Sequence, residues 1–84
     1  MDEITIVLKL YSGIHKEIGL PMYDPAKGIV FNVKPGTRLN KVLKTAGFRK
    51  KNNYIYFSEG ERIGIREKLK HSCEVACLKQ SGGG

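Results

Sequence analysis

In the stretch "TRLNKVLKTAG", Leu39, Val42, Leu43 and Ala46 recur at i, i+3, i+4 and i+7, which draws one apolar stripe along a helix and sends Arg38, Lys41 and Lys44 outward. Thr37 is placed to cap its start and Gly47 to stop its end in a left-handed conformation, so both boundaries are predicted from the sequence. The other patterned segments alternate with a period of two. "EITIVLKLY" separates Ile4, Ile6, Leu8 and Leu10 from Thr5, Val7, Lys9 and Tyr11; "GIVFNV" separates Ile29, Phe31 and Val33 from Val30 and Asn32. "YIYFS", an "EGE" turn and "RIGI" read as a strand and a short returning strand, "REKLKHS" as a turn with Leu69 inward, and "CEVACLK" as a last strand. "SGIHKEIGLPMYDPAK" reads as loop around a short helical turn from Ile14 to Ile18. One helix covers only one face of a sheet, so the expected architecture is α+β: a mixed sheet of four to five strands with the helix across one side. The first and last strands are expected side by side, parallel and central, with the chain end leaving from the sheet's edge.

The 84 residues suffice for one core, and the expected division is a domain over 1–80 followed by a tail over 81–84. With 40% hydrophobic and 27% charged residues, the composition is that of a globular protein rather than a fibre or a disordered chain. No apolar run reaches the roughly 18 residues of a membrane span, and "MDEITIVLKL" carries acids where a signal peptide carries lysines, so a cytoplasmic location is expected.

Fifteen Lys and Arg against eight Asp and Glu give a net charge of +7, which favours acidic partners. Arg38, Lys41, Lys44, Arg49, Lys50 and Lys51, near Tyr54 and Tyr56, have the look of a nucleic-acid surface with interleaved aromatics. A solvated helix face and loop accounts for them better, with docking to an acidic protein as the functional alternative. Cys73 and Cys77 fall on the same strand face and are read as reduced: Cys77 as a small core hydrophobe, Cys73 nearer a turn. His15 and His71 have no metal spacing and are read as surface residues. No phosphate-binding lysine loop, Ser/His/Asp set or metal-spaced cluster is found, so no catalytic site of the chain's own is read from the sequence. On the sheet's second face, Val7, Val30, Ala76 and Leu78 are either a docking patch or residues buried under the 13–27 loop.

The sequence ends in "SGGG", and glycines are costly to order, so Gly82, Gly83 and Gly84 are either a meaningless remnant or the working part. The order "VKPGTRLNKVLKTAGF", "YFSEGERIGI", "LKHSCEVACL" and a final "GGG" resembles the MoaD/ThiS family of ubiquitin-like, β-grasp sulfur carriers over nearly the whole chain. Pro35, Gly36 and Thr37 match the family's turn into its helix, Gly60 its second turn, Leu69 and Val75 its last passage, and Gly83 and Gly84 its terminus. The departures are Glu59 where Asn is usual, His71, Ser72 and Cys73 in place of Asp-Gly-Asp, and Lys79, Gln80 and Ser81 in place of an apolar, proline-rich stretch.

The resemblance implies a function. The carboxylate of Gly84 is adenylated with ATP and Mg by an activating enzyme of the MoeB/ThiF type, then converted to a thiocarboxylate; the chain holds no permanent cofactor. Ser81, Gly82, Gly83, Leu78 and Ala76 are the implied partner-binding residues. The sulfur passes to an acceptor such as a MoaE-like synthase subunit in molybdopterin or tungstopterin synthesis; the other pathways are thiamin synthesis and tRNA thiolation. The alternative is a ubiquitin-like modifier that joins Gly84 to a lysine. Extended at about 3.3 Å per residue, 81–84 reaches roughly 13 Å, enough to enter a partner's active site.

Overall fold

The computed structural model describes residues 2–80. Strands β1 (Ile4–Leu10), β2 (Ile29–Val33), β4 (Tyr54–Ser58), β5 (Glu61–Ile63) and β7 (Cys73–Lys79) form one five-stranded sheet in the order β2-β1-β7-β4-β5. Helix α2 (Leu39–Ala46) follows the short strand β3 (Thr37–Arg38), which pairs with β6 (Lys68–Leu69) as a separate ribbon. A single-turn α1 (Ile14–Glu17) and a 3-10 turn over Lys51–Asn53 complete the elements. The expected α+β sheet with one main helix is what forms.

β1 and β7 run parallel, with Ile6 beside Cys73, Leu8 beside Val75 and Leu10 beside Cys77, while every other pair in the sheet is antiparallel. The register explains the core. One face of the alternating strands contributes Ile6, Leu8, Leu10, Val75, Cys77 and Tyr56, and α2 closes over them with Leu39, Val42 and Leu43, all buried. Burying one such aliphatic side chain is worth about 1.5–3 kcal/mol, so the stripe on α2 and the matching strand faces hold each other in place. Ile14, fully buried from α1, and Phe48 fill the ends of the same core.

The ends of α2 are set differently from each other. Gly47 stops the helix at φ 105, as predicted. Thr37 does not cap it. Thr37 is drawn into β3 opposite Leu69, its hydroxyl donates to the Lys34 carbonyl at 2.7 Å, and Arg38 occupies the cap position without a side-chain bond to the helix, its guanidinium donating instead to Arg66 O at 2.9 Å. The first helical N–H groups are met instead by the β6 approach: Leu39 N–H donates to Glu67 O at 2.9 Å and Asn40 N–H to Ile65 O at 2.7 Å. The β3–β6 ribbon replaces the simple turn read in "REKLKHS", although Leu69 is inward as expected.

β7 is the middle strand, so the chain reaches the rim from the centre of the sheet and not from a lateral edge strand. No helix among the described residues is long and apolar enough to cross a membrane.

Candidate functional site

The last described residues of the chain lie where β7 emerges between β1 and β4. On the β1 side, Tyr11 N–H donates to Cys77 O at 3.1 Å and continues the ladder past the end of β1. On the β4 side, Lys79 stands opposite Tyr54. Three side-chain contacts then hold the strand end. Lys79 Nζ pairs with Glu17 Oε2, the Tyr54 hydroxyl donates to Glu17 Oε1 at 2.7 Å, and Gln80 Nε2 donates to Asn52 O at 3.3 Å. The bonds from Lys79 and Tyr54 hold the Glu17 carboxyl below the usual glutamate range. The same bond to Glu17, with some burial, pushes the Tyr54 phenol up to about 12. Glu17 and Asn52 carry no periodic or motif signal that ties them to positions so distant in sequence, and sequence reasoning missed both.

The face of the sheet away from α2 is open. Val7 lies opposite Val30, Phe57 opposite Ala76, and Ile55 opposite Leu78. Val30 is 57% exposed and Phe57 is also exposed, while Val7, Ala76 and Leu78 are half-buried by their neighbours. The 13–27 loop does not roof this patch. Ile18, Leu20 and Tyr23 turn toward the core on the helix side, with the Tyr23 hydroxyl accepting from Leu10 N–H at 2.7 Å. The loop runs along the edge of the patch, where Leu20, Pro21 and Met22 line a cleft with Val30 and Lys9 Nζ donates to the carbonyls of Pro25 and Ala26. Of the two readings of the second face, the structure favours the open patch, which the loop flanks without burying Val30.

Ala76 and Leu78 thus sit on an accessible apolar surface on the strand that leads to the tail. Ser81, Gly82, Gly83 and Gly84, the other predicted site residues, lie outside the described residues. Cys77 is fully buried against Tyr56, and burial pushes its thiol up to about 12. Cys73 is half-buried at the start of β7, and the two thiols are free. Tyr56 is buried with its hydroxyl donating to Lys51 O at 2.8 Å, so it offers no ring for stacking a base. Phe48 packs edge-on against both Tyr54 and Tyr56. His71 is exposed as expected; His15 is half-buried, stacked on Tyr23 with ring centroids 5.3 Å apart. Among the described residues no group of His, Cys, Asp and Glu is arranged to hold a metal.

No protein-family sequence model matches the chain, and no curated protein matches it by sequence. Among solved structures it is similar to the crystal structure of SAMP1 from Haloferax volcanii, with a TM-score of 0.67 at 14% identity, over 95% of this chain and 99% of that one. The chain has the β-grasp fold. At this identity the likeness speaks for the fold alone. Within the β-grasp, the parallel β1–β7 pair lies at the middle of the sheet, with the helix on one side and the open apolar face on the other.

Proposed function

We propose that this β-grasp protein is a sulfur carrier that works through the carboxylate of Gly84. The observation that carries the reading is the setting of β7: the strand leading into "SGGG" is the central one, its last residues are held by Glu17 and Asn52, and its open face presents Ala76 and Leu78. A rigid body that ends in residues without side-chain bulk is suited to being a substrate delivered into another protein's active site.

A carboxylate resists nucleophiles because its charge is shared by both oxygens. Activation by a MoeB/ThiF-type enzyme removes this barrier. A Gly84 oxygen attacks the α-phosphorus of Mg-bound ATP, pyrophosphate leaves, and the acyl adenylate forms. The terminal sulfur of a persulfide then attacks the carbonyl carbon and AMP departs with the oxygen. A second thiol cleaves the resulting acyl disulfide, leaving the thiocarboxylate and a disulfide. Gly84 contributes an unhindered carbonyl, Gly82 and Gly83 a slender approach, and Ser81, Ala76 and Leu78 the contact with the partner. Molybdopterin or tungstopterin synthesis, with a MoaE-like acceptor, is the favoured destination of the sulfur.

Intact mass spectrometry of the protein from its native host tests this reading. Exchange of one terminal oxygen for sulfur is the expected result. Attachment through Gly84 to lysines of other proteins, with no thiocarboxylate, assigns the chain to the protein modifiers instead. Replacing Gly84 with Leu is expected to abolish ATP–pyrophosphate exchange while leaving the circular dichroism spectrum unchanged.

A further inference from the structure

Beside the Lys79–Glu17 pair at the end of β7 stand four cations with no ion-pair partner among the described residues. The loop after α2 carries Arg49 and Lys50, which line a cleft of about 720 Å³ with Tyr54 and Glu17. Lys51 and Arg62 line a second cleft, of about 310 Å³, together with Gln80. Glu17 is the one carboxylate in the two clefts, and Lys79 and Tyr54 already occupy its two oxygens. The Glu17–Lys79 contact is the only ion pair among the described residues, so exposed Arg49, Lys50 and Arg62 and half-buried Lys51 have no ion-pair partner among them.

Their segment is tied to the last described residues of the chain. Gln80 donates to the carbonyl of Asn52, and the Lys51–Asn53 turn runs straight into β4, whose Tyr54 stands opposite Lys79. Lys51 and Arg62 thus share a cleft with Gln80, and Arg49 and Lys50 line the neighbouring one across Tyr54. Like charges gathered at one spot repel one another, and a net charge of +7 adds to the cost. An anionic surface that met them would relieve the repulsion and guide the approach of the tail.

We propose that Arg49, Lys50, Lys51 and Arg62 form a basic collar that docks on an acidic protein surface around the mouth of the channel that receives the tail. This rests on the carrier reading and names the chemistry of its partner. The aromatic rings that follow the loop favour a protein over a nucleic acid as the occupant. Tyr56 is buried and Tyr54 is bonded to Glu17, so neither is a platform for a base. Exposed charges facing opposite charges around the collar raise the association rate and make it fall with salt, leaving the chemical step at Gly84 untouched.

The test is ATP–pyrophosphate exchange with the native host's ubiquitin-activating-type enzyme, comparing the wild-type chain with R49E/K50E/K51E. The loop is exposed apart from a half-buried Lys51, and the far-ultraviolet circular dichroism and melting temperature of the variant serve as the folding control. R49Q/K50Q/K51Q, which removes charge without reversing it, repeats the test if the first variant fails that control. The expected result is a KM at least about tenfold higher for the charge-reversed chain with kcat unchanged. The wild-type KM is expected to rise between about 0.1 M and about 1 M salt, as the screening length contracts from about 10 to about 3 Å. Exchange that is normal in the wild type, with the same KM in both variants, overturns the collar and leaves the carrier reading standing. No exchange by the wild type overturns both. RNA binding at physiological salt that the variant loses, with KM unchanged, reassigns the collar to a nucleic acid and also overturns the proposal.

Discussion

Glu17, on the single turn of α1, holds Lys79 at the end of β7, and so joins an early surface helix to the last residues of the central strand. Tyr54 shares the carboxylate and brings β4 into the same cluster. Both bonds favour the ionised carboxylate, so its folded-state pKa lies below the ordinary value and its contribution to stability is present above that value and fades as pH falls through the folded one. In a carbon-detected NMR titration, the Glu17 carboxyl is expected to titrate below the ordinary glutamate value. Lys79→Ala is expected to move it part of the way back, the Tyr54 bond accounting for the remainder. A Glu17 midpoint identical in the two proteins contradicts the cluster.

The two cysteines are expected to differ sharply in reactivity. Cys77 is sealed between Leu10 and Tyr56, and its thiol is raised from about 9 to about 12 by burial. Iodoacetamide at neutral pH is expected to modify Cys73 in the native protein and Cys77 only after denaturation. A pKa raised by folding stabilises below the unfolded value and loses that contribution as pH rises through the folded one. Melting temperature is therefore expected to fall between about pH 9 and about pH 12, the window bounded by the two Cys77 values, with Tyr54 adding to the loss in its upper part.

The β4–β5 hairpin turns on Glu59 and Gly60, both at positive φ, 53 and 79. A two-residue turn of this shape suits Asn-Gly, and a left-handed Glu costs about 1–2 kcal/mol because its Cβ crowds the next carbonyl. Glu59→Asn is expected to stabilise the protein by about 1 kcal/mol, read from the midpoint of urea unfolding. Gly28 is the converse. At φ 71, an added Cβ would lie 2.6 Å from the Leu8 carbonyl oxygen, backbone that cannot move without disturbing β1. Gly28→Ala is expected to cost at least about 2 kcal/mol in the same measurement, combining left-handed strain with the clash.

The α2 stripe, the buried faces of β1 and β7 and the Gly47 stop were legible because each is a local pattern that the tertiary structure reinforces. Leu39, Val42 and Leu43 recur at the helical period and face Ile6, Leu8 and Val75, which recur at the strand period. Thr37 misled because its intrinsic capping preference competes with pairing to Leu69, whose position more than thirty residues away no local pattern records. β6 went unread for a related reason: two residues carry no period. The site was legible only by composition and resemblance. The patch of Val7, Val30, Ala76 and Leu78 could be assembled from strand parity, but whether the 13–27 loop covered it depended on Ile18, Leu20 and Tyr23 turning to the other side. The clamp of Glu17 and Asn52 on the strand end arises wholly from the fold.

If the open face receives the partner, a charge placed there should damage docking and spare the fold. Leu78 offers the cleanest position, since it lies opposite Ile55 on the exposed side, one residue before the Lys79 contact, and is only half-buried. Leu78→Glu gives up part of one aliphatic burial, a stability cost of about 1 kcal/mol, and leaves the core around Val75 and Cys77 intact. At the interface the same carboxylate would have to be desolvated against an apolar surface, a cost of several kcal/mol when it finds no partner. The expected outcome is a near-normal unfolding midpoint with adenylation of the tail weakened at least about tenfold in kcat/KM, as for loss of an apolar interface anchor. A Leu78→Glu protein adenylated as well as the wild type places the partner elsewhere, on the rim or the helix side, and removes Ala76 and Leu78 from the site.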